Sequence, residues 1–344
     1  MHTISIFVDQ NRMPNLASYF ECQTHLAKNL RNSANFILRN LRTGLKKDPV
    51  DRTSNENEVI ETVRIGIEMA NEKLLKDVDR LTKQLQKLPA DDPARTKIQK
   101  RIDNKQKNHP IMPTSDHWML TYETLDAVMK NTKNPDYYAM PSQVNQQVLR
   151  KVLKDWKSYF EALASYRQNL EKFKSQPKQP RYIKTPYTTV TFTNQVAKRS
   201  DIRGKMYITF PRCLVPVCVG KSEGSYVRTE VKPCYGGYMI YVTFQDAVKT
   251  PEAPKNPTRI LGLDPGLDNF LTALTNFPSA PFILDGHWLK SINQNFNRKR
   301  AVLMSELTRG LDSTKSVKNS ARLNRISKNR ACQIEDFFYK AAHY

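Results

Sequence analysis

Residues 260–270 read ILGLDPGLDNF: a short apolar run of strand character reaches a carboxylate, Asp264, and turns at once through Pro265 and Gly266. A charge at the end of a buried strand is costly unless a partner meets it. Two readings stay open on this stretch alone. Asp264 caps the turn, as aspartate does beside Pro and Gly, or it is held at a strand end because something positive binds it. Beyond the turn, NFLTALTN (269–276) and APFILDG (280–286) are two more runs of strand length, and HWLKSINQNFNRKRAVLMSEL (287–307) opens a helical, basic stretch. The chain breaks near Gly310, and the pattern predicts a last helix over 314–342. On that helix Lys315, Lys318, Arg322 and Arg325 form a basic stripe, and Ile326, Ile334, Phe337 and Phe338 an apolar one. Between 290 and 330 eleven Lys or Arg face only Glu306 and Asp312.

The whole chain repeats this imbalance. Its 344 residues, enough for two or three domains, carry 55 Lys and Arg against 33 acids, a net charge of +22. A polyanion is the expected partner. The sequence has no stretch of 18 apolar residues, the length that crosses a bilayer, and MHTISIFVDQ lacks the basic start and long apolar segment of a secretory signal. Nucleic acid therefore leads over membrane. Cysteines at 22, 213, 218, 234 and 332 form no CxxC pair, so neither a disulfide framework nor a zinc knuckle is expected from them. They read as small core residues in a reducing cytoplasm. The six histidines have no metal-ligand spacing.

Upstream, TISIFV (3–8) reads as a strand, and residues 16–44 carry apolar side chains at helical spacing up to a stop at Gly44. Residues 59–88 and 95–108 flank PADDPA (89–94), which predicts an antiparallel helical hairpin with a solvated, charged surface. In MPSQVNQQVLRKVLKDWKSYFEAL (140–163), Val144, Val148, Val152, Trp156 and Tyr159 share one helical face. Gln143, Gln147, Arg150, Lys154 and Lys157 share the other. The proline-interrupted KSQPKQPRYIK (174–184) leads into a region rich in Thr, Tyr, Val and Ile. There the runs TTVTF, MYITF, YVRTEV and MIYVTF are separated by turn signals at RSDIRGK, GKSEGS and CYGGY. This predicts a small antiparallel β-domain closed as a barrel. TPEAPKNPT (250–258) reads as the linker after it.

Three strands joined by a Gly-containing turn and followed by helices are the order in which an RNase H-like nuclease fold begins. Such a fold sets an aspartate on its first strand as a ligand of Mg²⁺, which prefers hard oxygen donors. Gly262 and Gly266 leave room for the turn and for close approach of nucleic acid, although a structural need for small residues explains them equally well. Asp268 and Asp285, beside Asn269 and Gly286, read as turn residues, and Glu335 and Asp336 as helix-surface residues.

Taken in order, YYAMPSQVNQQVLRKVLKDWKSYF (137–160), KQPRYIK (178–184), ILGLDPGLDNFLTALTN (260–276), LDGHWLKSINQNFNRKRAVL (284–303) and RISKNRACQIEDFFYKAAHY (325–344) resemble the TnpB proteins of bacterial transposons. These are RNA-guided nucleases related to the compact type V CRISPR effectors. The resemblance implies an α+β multidomain chain, with a helical recognition lobe inserted in a wedge-like antiparallel β-barrel and a partial RNase H-like (RuvC-like) nuclease domain following. By it, residues 1–14 and 175–256 form the barrel, 15–174 the lobe with the hairpin elaboration at 50–110, and 257–344 the first part of the nuclease domain. Asp264 matches the family's first catalytic, metal-ligating aspartate. The expected partners are a guide RNA made from the transposon end and target double-stranded DNA, in a bacterial cytoplasm at the nucleoid. Gln143, Gln147, Arg150, Lys154, Lys157, Arg181, Tyr182, Lys290, Asn293, Gln294, Asn297, Arg298, Arg300, Lys318, Arg322 and Arg325 are the implied nucleic-acid contacts.

The family pattern continues into a strand bearing a catalytic glutamate, a four-cysteine zinc ribbon and a last catalytic aspartate, and Tyr344 precedes their counterparts. The two-ion Mg²⁺ site is thus expected of the complete protein, and Zn²⁺ only of a C-terminal segment absent from this sequence. Cleavage of target DNA beside a short motif is the leading function. A nuclease-deficient, RNA-guided DNA-binding protein of repressor type is the alternative.

Overall fold

A computed structural model describes residues 1–89, 92–221, 223–246, 257–311 and 320–343. The chain divides into two units. The first comprises Met1–Lys232 with Met239–Gln245, the second Pro233–Tyr238 with Asp246–Tyr344.

The first unit is organised on α1 (Pro14–Gly44), whose entry into helix is set by Pro14 in the first turn. Leu16, Phe20, Ala27, Leu30, Ala34, Leu38 and Leu41 recur at helical spacing and are buried. Onto this stripe pack α2 (Ser54–Lys87) and α6 (Ser142–Gln168). The start of α2 is fixed by a capping box, in which the Glu56 backbone N–H donates to Thr53 Oγ1 and the Thr53 N–H to Glu56 Oε2 at 2.8 Å. The predicted helical hairpin is present as α2 and α3 (Ala94–Lys107), which pack on one another. Two short helices, α4 (Tyr122–Asn131) and α5 (Pro135–Tyr138), complete the helical layer. At Gly66 the backbones of α2 and α4 come close: a Cβ there would stand 2.8 Å from the Val128 Cα.

Seven strands belong to the same part of the chain. They are β1 (His2–Val8), β2 (Val190–Thr193), β3 (Lys198–Ile202), β4 (Lys205–Thr209), β5 (Val217–Gly220), β6 (Ser225–Cys234) and β7 (Gly237–Gln245). They form a four-stranded sheet ordered β1-β7-β6-β2 and a three-stranded sheet ordered β3-β4-β5. Val190, Phe192, Ile208, Val231, Ile240, Val242 and Phe244 alternate inward and are fully buried. The barrel expected from the strand pattern is not closed among the described residues. Each sheet keeps two edges, because no ladder joins β1 or β2 to β3 or β5. RSDIRGK, expected as a turn, is mostly strand: Lys198–Ile202 pairs with Lys205–Thr209, and only Arg203 and Gly204, both at positive φ, make the turn.

The second unit holds β8 (Leu261–Pro265), β9 (Asn269–Thr275) and β10 (Phe282–Asp285), an antiparallel sheet ordered β10-β9-β8. Two helices follow, α7 (His287–Thr308) and α8 (Ala321–His343), and pack on each other. Most of the linker 250–258, and Asp312, Lys315 and Lys318, lie outside the described residues. No cysteine is buried: Cys22, Cys218 and Cys332 are exposed, Cys213 and Cys234 half-exposed. The core role expected of them fails locally: Cys218 points outward between the inward Val217 and Val219 of β5, and Cys213 lies in the loop between β4 and β5.

Candidate nucleic-acid interface

In the second unit, strand alternation decides what surrounds Asp264. Its direct neighbour across the ladder is Thr272, and Gly262 faces Leu274. Leu263 faces Ala273 on the opposite side of the sheet, where Ala273 is fully buried. The Asp264 side is the more open one: Leu274 is 62% exposed and Ile283, paired with Thr272, 57%. Asp264 itself is exposed, and its carboxylate has no hydrogen bond or ion pair among the described residues. The turn-cap reading finds no donor there. The two neighbouring glycines differ. A Cβ on Gly266 would stand 2.6 Å from the Asn269 carbonyl oxygen, so the β8–β9 turn demands glycine. A Cβ on Gly262 would meet nothing nearer than the Leu274 carbonyl at 3.7 Å, so packing does not.

Asp268 and Asp285 lie at the same end of the sheet, in the β8–β9 turn and opposite Asn269. Both are engaged. Lys290 Nζ donates to Asp268 Oδ1, and this bond holds the Asp268 carboxyl below its ordinary range. The His287 backbone N–H donates to Asp285 Oδ1 at 3.0 Å and depresses Asp285 in the same way, with the imidazole Nδ1 2.5 Å from the same oxygen. Asp285 thus fastens the first turn of α7, as its turn reading anticipates. Asp336 pairs with Lys340 along α8.

Mg²⁺ asks for about six oxygen ligands in octahedral array. Asp264 offers one carboxylate, and among the described residues no three His, Cys, Asp or Glu side chains come together to hold a metal ion. These residues alone do not fit a two-ion site, and no cleavage step follows from them.

On α7, Gln294, Asn297, Arg298 and Arg300 are exposed, whereas two expected contacts serve the unit itself. Lys290 is tied to Asp268, and Asn293 accepts from Arg330 Nε at 2.7 Å. Arg322 and Arg325 are exposed on α8, Arg322 within 3.7 Å of Glu306; Lys318 lies outside the described residues.

In the first unit, the apolar face of α6 packs as expected, with Val144, Val148, Val152 and Trp156 buried. Its polar face divides. Arg150, Lys154 and Lys157 are exposed, Arg150 with its guanidinium 3.8 Å from the Tyr122 ring centre. Gln143 accepts from Thr193 at 3.2 Å, and Gln147 lines a narrow crevice with Arg31, Lys151 and Thr188. Arg181 and Tyr182 are set by a strap, residues 176–188, laid along α1. The Asn32 carboxamide pairs with the Ile183 backbone, its Nδ2 donating to the carbonyl at 3.0 Å and its Oδ1 accepting from the N–H at 2.8 Å. Asn35 and Arg39 donate to the Pro180 carbonyl, and Thr188 N–H to the Thr24 carbonyl. Because Pro177, Pro180 and Pro186 carry no N–H, few donors of the strap need partners, and α1 side chains supply its carbonyls.

Residues 242–344 match the model of the OrfB_IS605 family, described as "Probable transposase". This match agrees with the resemblance over its C-terminal stretches, from ILGLDPGLDNFLTALTN to RISKNRACQIEDFFYKAAHY. Among curated proteins none matches. Two solved structures are similar at low identity. A CRISPR-Cas12f ternary complex shares 12% identity over 83% of this chain and 62% of its own, with a TM-score of 0.25. A Cas12f1-sgRNA-target DNA complex shares 13% over 82% and 65%, with a TM-score of 0.16. The chain therefore spans under two thirds of the length of either protein, and at such scores the likeness carries no weight on its fold.

Proposed function

We propose that this chain is the nucleic-acid-binding part of an RNA-guided DNA endonuclease of transposon type, with Asp264 as its first metal-ligating carboxylate. The observation that carries the reading is the place of Asp264: unpaired among the described residues, on the open face of an antiparallel sheet, inside the segment that matches the transposase model. The charge of +22 supports polyanionic partners, here a guide RNA and a target duplex beside a short motif. Guide–target pairing then reads sequence, while cationic helices hold backbones. In this reading residues 1–14 and 175–256 act as wedge, 15–174 as recognition lobe and 257–344 as the beginning of the nuclease domain. Mg²⁺ suits the carboxylate chemistry, with the further ligands supplied from outside the described residues.

The test is to express the protein, sequence the RNA that copurifies, and assay guided cleavage in Mg²⁺. Asp264→Ala is expected to abolish cutting and leave guided binding intact; undiminished cutting would overturn the assignment. One observation favours a second reading, a guided binder that does not cut: no three metal-ligating groups converge among the described residues. Guided binding without cleavage by the 344-residue chain supports that reading, and robust cleavage rules it out. Binding that survives complete removal of RNA would replace both with a guide-independent DNA-binding factor.

A further inference from the structure

The first unit carries a cationic cleft, of whose basic lining the sequence motifs announce only the strap residues, Arg181 among them. It has a volume of about 690 Å³ and opens between the last turns of α1, Tyr159 of α6 and residues 176–181 of the strap. Arg39, Arg42, Lys46, Lys47, Lys178 and Arg181 line it, and no carboxylate does. Lys47 is neutralised by Glu56, 2.9 Å from both carboxylate oxygens. The other five make no ion pair among the described residues. Five like charges around one cleft repel each other, and an anion there relieves the repulsion.

Two of the arginines are pre-set. Arg42 stands 5.3–5.9 Å from the ring centres of Trp118, Trp156, Tyr159 and Phe160, an aromatic box that fixes the guanidinium without neutralising it. Its one protein acceptor among the described residues is Gln179 Oε1, at 3.4 Å. Arg39 donates to the Pro180 carbonyl at 2.7 Å and lies 5.2 Å from the Tyr182 ring centre. A guanidinium has five N–H donors in a fork that matches phosphate oxygens, so each retains most of its donors for a ligand. Holding them in place beforehand lowers the entropy lost on binding.

We propose that this cleft is a phosphodiester site, seating consecutive phosphates of a single-stranded nucleic-acid segment on Arg39, Arg42 and Arg181, with Lys46 and Lys178 at its rim. The volume matches sites that take one or two nucleotide-sized groups and not a duplex. The fixed positions of its Arg39 and Arg42 guanidiniums, held against aromatic rings and the strap, set it apart from a membrane-binding face of free lysines. The inference rests on the nucleic-acid reading above but is independent of cleavage.

The experiment uses the full chain stripped of RNA and titrates labelled single-stranded oligonucleotides of about ten nucleotides, RNA and DNA of one sequence, over a range of salt without Mg²⁺. The triple variant Lys46→Gln/Lys178→Gln/Arg181→Gln removes charges that hold no partner in the fold. A control triple, Lys97→Gln/Lys100→Gln/Arg101→Gln on α3, removes the same net charge elsewhere. The cleft variant is expected to lose tenfold or more in affinity and to flatten the slope of log K against log salt by about 2, at roughly 0.7 per lost phosphate contact. The control is expected to shift the slope by less than about 0.5. Arg39→Lys, which keeps the charge but not the fork, is expected to weaken binding with little change in slope. Equal losses for RNA and DNA support a backbone site, and a loss for RNA alone supports one that also reads the sugar. Equal effects of the two triples, or none of the cleft triple where the unmutated chain binds, overturn the cleft alone. Failure of the unmutated chain to bind any strand overturns the cleft and the proposed function together.

Discussion

Trp156 and Leu263 are both large apolar side chains on regular elements, and they meet opposite fates. Trp156, in the first unit, is fully buried among Trp118, Phe160 and Tyr159. Leu263, in the second, is 52% exposed, and Leu261 beside it 49%. The difference is the number of layers each element meets. α6 packs on α1, α4 and β2, so its apolar face is covered along its length. β8 has a strand on one side only, since it ends the order β10-β9-β8. Alternation of apolar residues assigns a side chain to a face, and burial follows only where another layer covers that face.

The contrast breaks most readily at Trp156. Its Nε1 donates to Asn35 Oδ1 at 3.0 Å, and Asn35 in turn donates to the Pro180 carbonyl of the strap. Trp156→Ala leaves a cavity and an unmet acceptor, an expected cost of about 3–5 kcal/mol. Urea denaturation in a Trp288→Phe background checks this, because Trp118 then reports the first unit. A cost under about 1 kcal/mol would mean that the layer around α6 is not what holds it.

A smaller effect sharpens the same comparison through pH. Glu56 is buried, and its carboxyl is pulled from an ordinary 4.5 to about 2, first by the Thr53 backbone N–H, then by Thr43 and by Lys47. A carboxyl depressed in the folded state stabilises that state above its unfolded value and ceases to do so as pH falls through the folded one. Stability of the first unit is therefore expected to fall between about pH 4.5 and pH 2, over the window these two values bound. Glu56→Gln retains an acceptor for the Thr53 N–H and cannot titrate. Urea midpoints followed across that window are expected to fall less in the variant, and parallel curves would sink the assignment.

What the sequence discloses follows the same division. The helical period of residues 16–44 and the two faces of 140–163 are legible because local spacing alone sets them. The strap is not: KSQPKQPRYIK shows its prolines and charges, but its partners Asn32, Asn35 and Arg39 lie more than a hundred residues earlier. For the same reason Arg39 and Arg42 pass for surface charges within a helix until α6 and the strap enclose them. β3 is hidden by polarity, since a two-sided exposed strand such as KRSDI lacks alternation. Barrel closure depends on edges finding each other, which no strand's own residues encode. At Asp264 the strand end and turn are legible, whereas the open face around it depends on what β8 lacks beside it.

The smallest expected effect is the most pointed test of the comparison. Leu263→Ser on β8 deletes an apolar side chain of the size whose loss from a core costs about 2–5 kcal/mol. Leu263 is half-exposed on an edge strand, so the transfer and cavity terms both shrink, and the serine hydroxyl is met by water. Its cost is expected to stay within about 0.5 kcal/mol. Urea denaturation read by Trp288 fluorescence, in a Trp118→Phe/Trp156→Phe background that silences the first unit, measures it against Ala273→Ser. That second change sets a hydroxyl at the fully buried neighbour directly across the ladder, where an unmet donor costs about 1–3 kcal/mol. The two positions share a face and a rung, so any gap between their costs measures coverage rather than strand propensity. Equal costs would show that the β8 edge is covered in solution and that its apolar side chains are core after all.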